Sequence, residues 1–127
     1  MKRIPKPTDA ELEVLRVLWE RGPSTVREIH AVVNQQKARG YTTILKTVQI
    51  MTDKKLVTRD ASSRSHVYRP GLTETETQQR LIRDLVDRAF GGSAAKLMLQ
   101  VFGTKAASPE ELAELRALLD QQRRKGR

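Results

Sequence analysis

The pattern Ser/Thr-x-x-Glu stands four times in this chain, at Thr8/Glu11, Thr25/Glu28, Thr73/Glu76 and Ser108/Glu111. Each copy precedes an apolar run with helical spacing. In such a capping box the hydroxyl satisfies an orphan amide of the first turn, and the carboxylate reaches back to the N–H of the cap residue. Pro109, at the first helical position, reinforces the last copy. Four helix starts of this kind predict a mainly α fold.

The first helix, from about Asp9 to Arg21, carries Leu12, Leu15, Val17, Leu18 and Trp19 and stops at Gly22-Pro23. The second, from about Thr25 to Asn34, buries Val26, Ile29, Val32 and Val33. A polar linker, 34–40, leads to a third helix over about Thr42 to Lys54. Next, Val57-Thr58-Arg59 and His66-Val67-Tyr68-Arg69 flank the polar tip Ala61-Ser62-Ser63-Arg64-Ser65. This hairpin ends at Pro70, which cannot donate to a strand ladder. Helix, turn, helix and basic hairpin, in that order between Ser24 and Pro70, predict a winged helix-turn-helix with a two- or three-stranded wing.

The domain boundary falls at Gly71, giving a winged-helix DNA-binding domain over 1–71 and a helical dimerisation domain over 72–127. Three helices follow the boundary. The fourth, about Glu74 to Phe90, spaces Leu81, Ile82, Leu85, Val86, Ala89 and Phe90 by threes and fours, and Gly91-Gly92 breaks it. A fifth, capped by Ser93, carries Ala94, Leu97, Met98, Val101 and Phe102. The sixth, about Pro109 to Arg123, repeats Leu112, Leu115, Leu118 and Leu119. Three short amphipathic helices can hardly bury these faces on one another, so a symmetric homodimer is expected. Packing back on the N-terminal domain is the competing arrangement. The tail 121–127 is expected to fray.

Charge assigns the partner. Residues 1–70 hold 14 Lys/Arg against 7 Asp/Glu, whereas 71–127 hold 10 against 8. The positive excess lies with the helix-turn-helix, as a phosphate-binding surface requires. On the third helix, Ile44, Leu45, Val48 and Met51 fall on the core side at 100° per residue. Thr42, Thr43 and Lys46 lie opposite, near the end that meets the major groove, with Thr47 and Gln49 flanking and Ile50 outward. Thr42 fits an N-cap role equally well, and Tyr41 suits a packing staple at the helix entrance. In the hairpin, Arg59 and Arg64 are the backbone anchors, with Arg64 at the tip the better placed. Arg69 suits the hairpin or the domain boundary, and an ordinary solvated turn is the bland reading.

Several classes drop out. The five aromatics occupy core-like positions, which leaves no platform for stacking single-stranded bases. There is no phosphate loop, no carboxylate pair in a pocket-like setting and no nucleophile triad signature, so no enzymatic activity and no cofactor are expected. No cysteine is present, and His30 and His66 are isolated, so no metal site is expected. The absence of cysteine suits a cytoplasmic protein. No apolar run approaches a membrane span, and Met1-Lys2-Arg3-Ile4-Pro5 leads into no signal-peptide core.

Leu15-Arg16-Val17-Leu18-Trp19, Thr25-Val26-Arg27-Glu28-Ile29 and Tyr41-Thr42-Thr43-Ile44-Leu45-Lys46-Thr47-Val48 resemble the penicillinase repressor family of BlaI/MecI/CopY type. The likeness continues through Val67-Tyr68-Arg69-Pro70, Phe90-Gly91-Gly92-Ser93 and 112–119, covering nearly the whole chain. It implies a bacterial transcriptional repressor, homodimeric, on a dyad operator of a β-lactamase-type resistance or stress operon. It also implies release through a membrane metalloprotease-sensor that triggers cleavage in the fifth helix, here at Val101–Phe102. Two departures stand out. The copper-responsive branch carries Cys-x-Cys pairs, which excludes thiolate copper sensing here. The best-known cleaved members have Asn before Phe, where this chain has Val101. Two other classes compete with this reading. One is a winged-helix regulator derepressed by a small molecule bound between helix four and the DNA-binding domain. The other is a basic helical adaptor for an acidic protein or membrane surface.

Overall fold

The structure, a computed structural model, describes residues 4–62, 64–104 and 107–126. Expectations that touch Met1-Lys2-Arg3, Ser63 or Arg127 lie outside the described residues. The order of elements is α1 (Asp9–Arg21), α2 (Val26–Gln36), α3 (Tyr41–Asp53), β1 (Val57–Asp60), β2 (Val67–Pro70), α4 (Glu74–Ala89), α5 (Ala94–Thr104) and α6 (Pro109–Lys125). All four capping boxes form, with hydroxyl and carboxylate engaged reciprocally at Thr8/Glu11, Thr25/Glu28, Thr73/Glu76 and Ser108/Glu111.

Two compact units result, one through Ile82 and one from Arg83 onward. That division lies inside α4. The first half of α4 stays with the N-terminal unit, where Thr77 is buried and the Arg80 guanidinium donates to the Ile4 carbonyl at 2.7 Å. The core of that unit gathers Val14, Leu15 and Leu18 of α1, Ile29 and Val33 of α2, Ile44, Val48 and Met51 of α3, and Leu56, Val57 and Tyr68. Val14, absent from the predicted apolar stripe, is fully buried, whereas Trp19, Val32 and Leu45 are half-buried at the rim of the core and Leu12 is half-buried outside it.

The strands pair antiparallel, Val57 opposite Pro70, Thr58 opposite Arg69, Arg59 opposite Tyr68 and Asp60 opposite Val67. A further bridge joins Tyr68 to Ser24, through N–H to carbonyl bonds of 3.1 and 2.8 Å in both directions. The segment entering α2 therefore adds one rung to the wing. Gly71 closes the other side: its amide donates to the Leu56 carbonyl at 2.7 Å, and a Cβ there would lie 2.3 Å from the Lys55 carbonyl oxygen. Only glycine permits that approach.

In the second unit few side chains are covered. Val86 and Leu97 are buried, whereas Leu85, Leu99, Val101, Phe102, Leu112, Leu118 and Leu119 are exposed. Phe90 and Leu115, like Leu81 in the first unit, are half-buried. α6 runs on to Lys125, and so corrects the expectation that the chain frays from Gln121. Arg123, Arg124 and Lys125 sit in its last turn, where cations complement the helix dipole and extend the helix instead of loosening it.

Candidate nucleic-acid interface

α3 is positioned by its own apolar face. Ile44, Val48 and Met51 point into the core, which turns Thr42, Thr43, Lys46, Gln49 and Ile50 outward. The exposed stripe continues to Asp53 at the far end. The helix starts at Gly40, with no side-chain cap and no acidic residue in the first turn. Thr42 therefore sits inside the helix, not at its cap, and its N-cap reading is overturned. The hydroxyls of Thr42 and Thr43 have no hydrogen-bond partner among the described residues, which leaves them open to outside acceptors and donors. Thr47 differs: its hydroxyl donates to the Thr43 carbonyl at 2.9 Å, so its proton is already committed. Tyr41 remains half-exposed and meets the His30 ring edge-on, centroids 5.7 Å apart.

The far end of α3 closes without glycine. Lys55 takes a left-handed backbone, φ 67°, and the Leu56 and Lys55 amides bond back to the Met51 and Thr52 carbonyls. That Schellman closure aims Leu56 into the core and starts β1 directly. Lys54, at the C-cap, sends its ammonium to Glu11 Oε2 at 2.9 Å, and so ties the end of α3 to the start of α1. Burial opposes ionisation of Glu11 most strongly. The Thr8 amide and the Lys54 ammonium together outweigh it and hold the carboxyl below its ordinary range.

The entrance of α3 is tied as well. Arg39 donates to Glu13 Oε1 at 3.1 Å, and Lys37 lies 3.5 Å from the same oxygen. The Arg39 guanidinium, aided by Lys37, holds the Glu13 carboxyl below its ordinary range against the opposing effect of burial. The Arg39 amide donates to Asn34 Oδ1 at 3.1 Å, and its carbonyl lies 2.7 Å from His30 Nε2. A neutral His30 making this bond carries its proton on Nε2. Nothing in the residue pattern marks these long-range partners. His30 and Asn34 lie one turn apart on α2, and only that spacing hinted at a shared face.

In the wing, Arg59 and Arg64 are exposed, as is Arg69. The register separates two of them: Arg59 shares a face with Val57 and Tyr68, whereas Arg69 lies on the opposite face with Thr58. Asp60 shapes the tip, its carboxylate accepting the Ser62 amide at 2.9 Å. That turn, with Arg69 contributing least, keeps Asp60 below its ordinary range. His66 is exposed at the base of β2. Among the described residues no group of His, Asp and Glu could hold a metal ion, and no helix is long and apolar enough to cross a membrane.

A three-helix core that presents one helix by its polar N-terminal face, with a two-stranded basic ribbon following it, defines the winged-helix class of DNA-binding proteins. The profile described as Penicillinase repressor matches residues 7–121. The chain belongs to the penicillinase repressor family. Among its relatives is the penicillinase repressor of Bacillus licheniformis, 25% identical over 95% of this chain and 94% of the relative. The transcriptional regulator BlaI of Mycobacterium tuberculosis is 28% identical over 94% of this chain and 88% of its own length. Two solution structures are similar, each 28% identical and covering 60% of this chain and 93% of its own. One is the DNA-binding domain of the repressor BlaI, with a TM-score of 0.53. The other is the monomeric form of Bacillus licheniformis BlaI in complex with the blaP half-operator, with a TM-score of 0.51.

Proposed function

We propose that this chain is a cytoplasmic transcriptional repressor that binds a pseudo-palindromic operator as a homodimer and controls a β-lactamase-like resistance or stress operon. The observation that carries the reading is the outward face of α3. Thr42, Thr43, Lys46 and Gln49 stand free on a helix whose other side is buried, in a unit similar to one solved on half-operator DNA. Thr42, Thr43 and Lys46 read base edges in the major groove, Thr47 and Gln49 support them from the flanks, and Arg64 with Arg59 grips the backbone from the wing. Residues 1–71 carry this task, and 72–127 pair the two copies, with the first half of α4 seated on the DNA-binding part.

Pairing is supported by the apolar side chains that the second unit leaves uncovered. Leu85, Val101, Phe102, Leu112, Leu118 and Leu119 are all more than 40% exposed in a single chain. In the dimer they would pack together with Leu81, Phe90, Leu97 and Leu115. Release in this reading comes from a membrane metalloprotease-sensor that triggers cleavage at Val101–Phe102. Both residues lie within α5, so a protease must first open that helix. The protein is no enzyme in this reading, in keeping with relatives that are repressors.

The test is a gel-shift titration with a duplex that the wild-type protein selects from a random library. Lys46→Ala is expected to weaken binding by about 1–3 kcal/mol and to relax preference at one position if Lys46 reads a base. A uniform loss with a shallower salt slope assigns it to phosphate instead. Unchanged binding removes Lys46 from the interface.

A further inference from the structure

α1, α2, α4 and α6 each begin with a capping box, but α3 begins at a bare glycine. The helix proposed to read DNA therefore has the least local definition at the end that must be placed most accurately. What holds that end is Arg39, the residue just before Gly40. Its amide is held by Asn34, its carbonyl by His30 and its guanidinium by Glu13, at 3.1, 2.7 and 3.1 Å. The two α2 residues and the α1 carboxylate thus grip one residue from three directions. The His30 ring then meets Tyr41, the first residue of α3, edge-on at 81°.

We propose that Glu13, His30 and Asn34, acting through Arg39, are positioning residues that set the first turn of α3 and thereby its discrimination between DNA sequences, without touching DNA. The inference rests on the DNA-binding reading above and adds residues to it. Its physical basis is that a contact misplaced by a fraction of an ångström loses hydrogen-bond geometry to a base edge, whereas a phosphate contact tolerates the error. Sequence-specific binding should therefore suffer and non-specific binding should not.

Charge makes Glu13 a sharp probe. It is an anion in a basic unit, so removing it should strengthen binding to any DNA if only the net field matters. The clasp requires the opposite for the preferred sequence. In the full chain, Glu13→Gln is expected to lower affinity for the selected duplex by about three- to tenfold, the worth of roughly one hydrogen bond. Affinity for a scrambled duplex of equal length should hold or rise. Asn34→Ala, which changes no charge, should lower the same ratio, and it serves if Glu13→Gln does not fold. In both variants the Ile44 amide, which closes the first turn on the Gly40 carbonyl, should exchange faster with deuterium. An unchanged ratio between the two duplexes, or equal tightening on both, overturns the proposal. If the wild type does not distinguish the duplexes, the DNA-binding reading fails by itself. The exchange measurement then still decides whether the clasp holds α3, and unchanged exchange overturns that too.

Discussion

Replacing Lys54 with methionine isolates the link between the end of α3 and the start of α1. Glu11 is 3% exposed, and it accepts from the Thr8 amide and the Lys54 ammonium at 2.9 Å each. Removing one partner of a fully buried ion pair costs about 3–5 kcal/mol. Lys54 keeps 34% of its side chain in water, and Glu11 keeps its bond to Thr8. These two facts reduce the expected loss to about 1.5–2.5 kcal/mol, between the buried and the surface limits. The loss should depend on pH in a defined sense. The folded state lowers the Glu11 pKa, so its ionisation adds stability above the ordinary glutamate value of about 4.5, and that stability is lost as pH falls through the lower folded value. In Lys54→Met the burial effect is opposed by fewer partners, so the variant gains less from ionisation. The difference between the two proteins should be full near neutral pH and shrink on acidification. Urea titrations followed by Trp19, the single tryptophan and a residue at the rim of the N-terminal core, measure it directly. Glu11→Gln is the control, because its amide oxygen can still accept from Thr8, and the double variant should lose less than the sum of the singles. A loss below about 0.5 kcal/mol at neutral pH, the scale of a surface pair, would show that Lys54 and Glu11 do not act as a buried pair. So would a loss that stays constant as Glu11 is protonated.

Further outcomes follow from other sites. Gly71→Ala should destabilise the N-terminal unit by about 1–3 kcal/mol in the same urea assay, because its Cβ meets backbone that cannot give way. Arg64→Ala should weaken binding to selected and scrambled duplexes alike and reduce the salt slope by about one; a loss confined to the selected duplex would make it a base reader. Leu119→Asp places a charge at a side chain that is 60% exposed in a single chain. Analytical ultracentrifugation should find a dimer for the wild type at micromolar concentration and a monomer for the variant, and two dimers would remove α6 from the interface.

The helix starts were the most legible part of the chain, because a capping box is a local device that needs only residues three apart. The core side of α3 was legible for the same reason, as helical periodicity alone separates Val48 and Met51 from Lys46 and Gln49. Other features had no local signal. Lys55 ends α3 in a left-handed conformation where a glycine would normally mark the site. The role of Ser24 as a rung of the wing depends on Tyr68, far along the chain. Arg59 and Arg69 are both cations of the hairpin, and only strand register shows that they lie on opposite faces.

Short-range chemistry therefore set the helices, the starts of the four that carry capping boxes, the outward face of α3 and the concentration of positive charge in the first 70 residues. Tertiary structure decided what positions that face: Lys54 on Glu11 at one end, and Glu13, His30 and Asn34 on Arg39 at the other. It also decided that α4 divides between two units. The physical reason is range. Caps and periodicity act within a turn, whereas an ion pair or a backbone bond between distant segments exists only once the core has brought them within about 3 Å of each other.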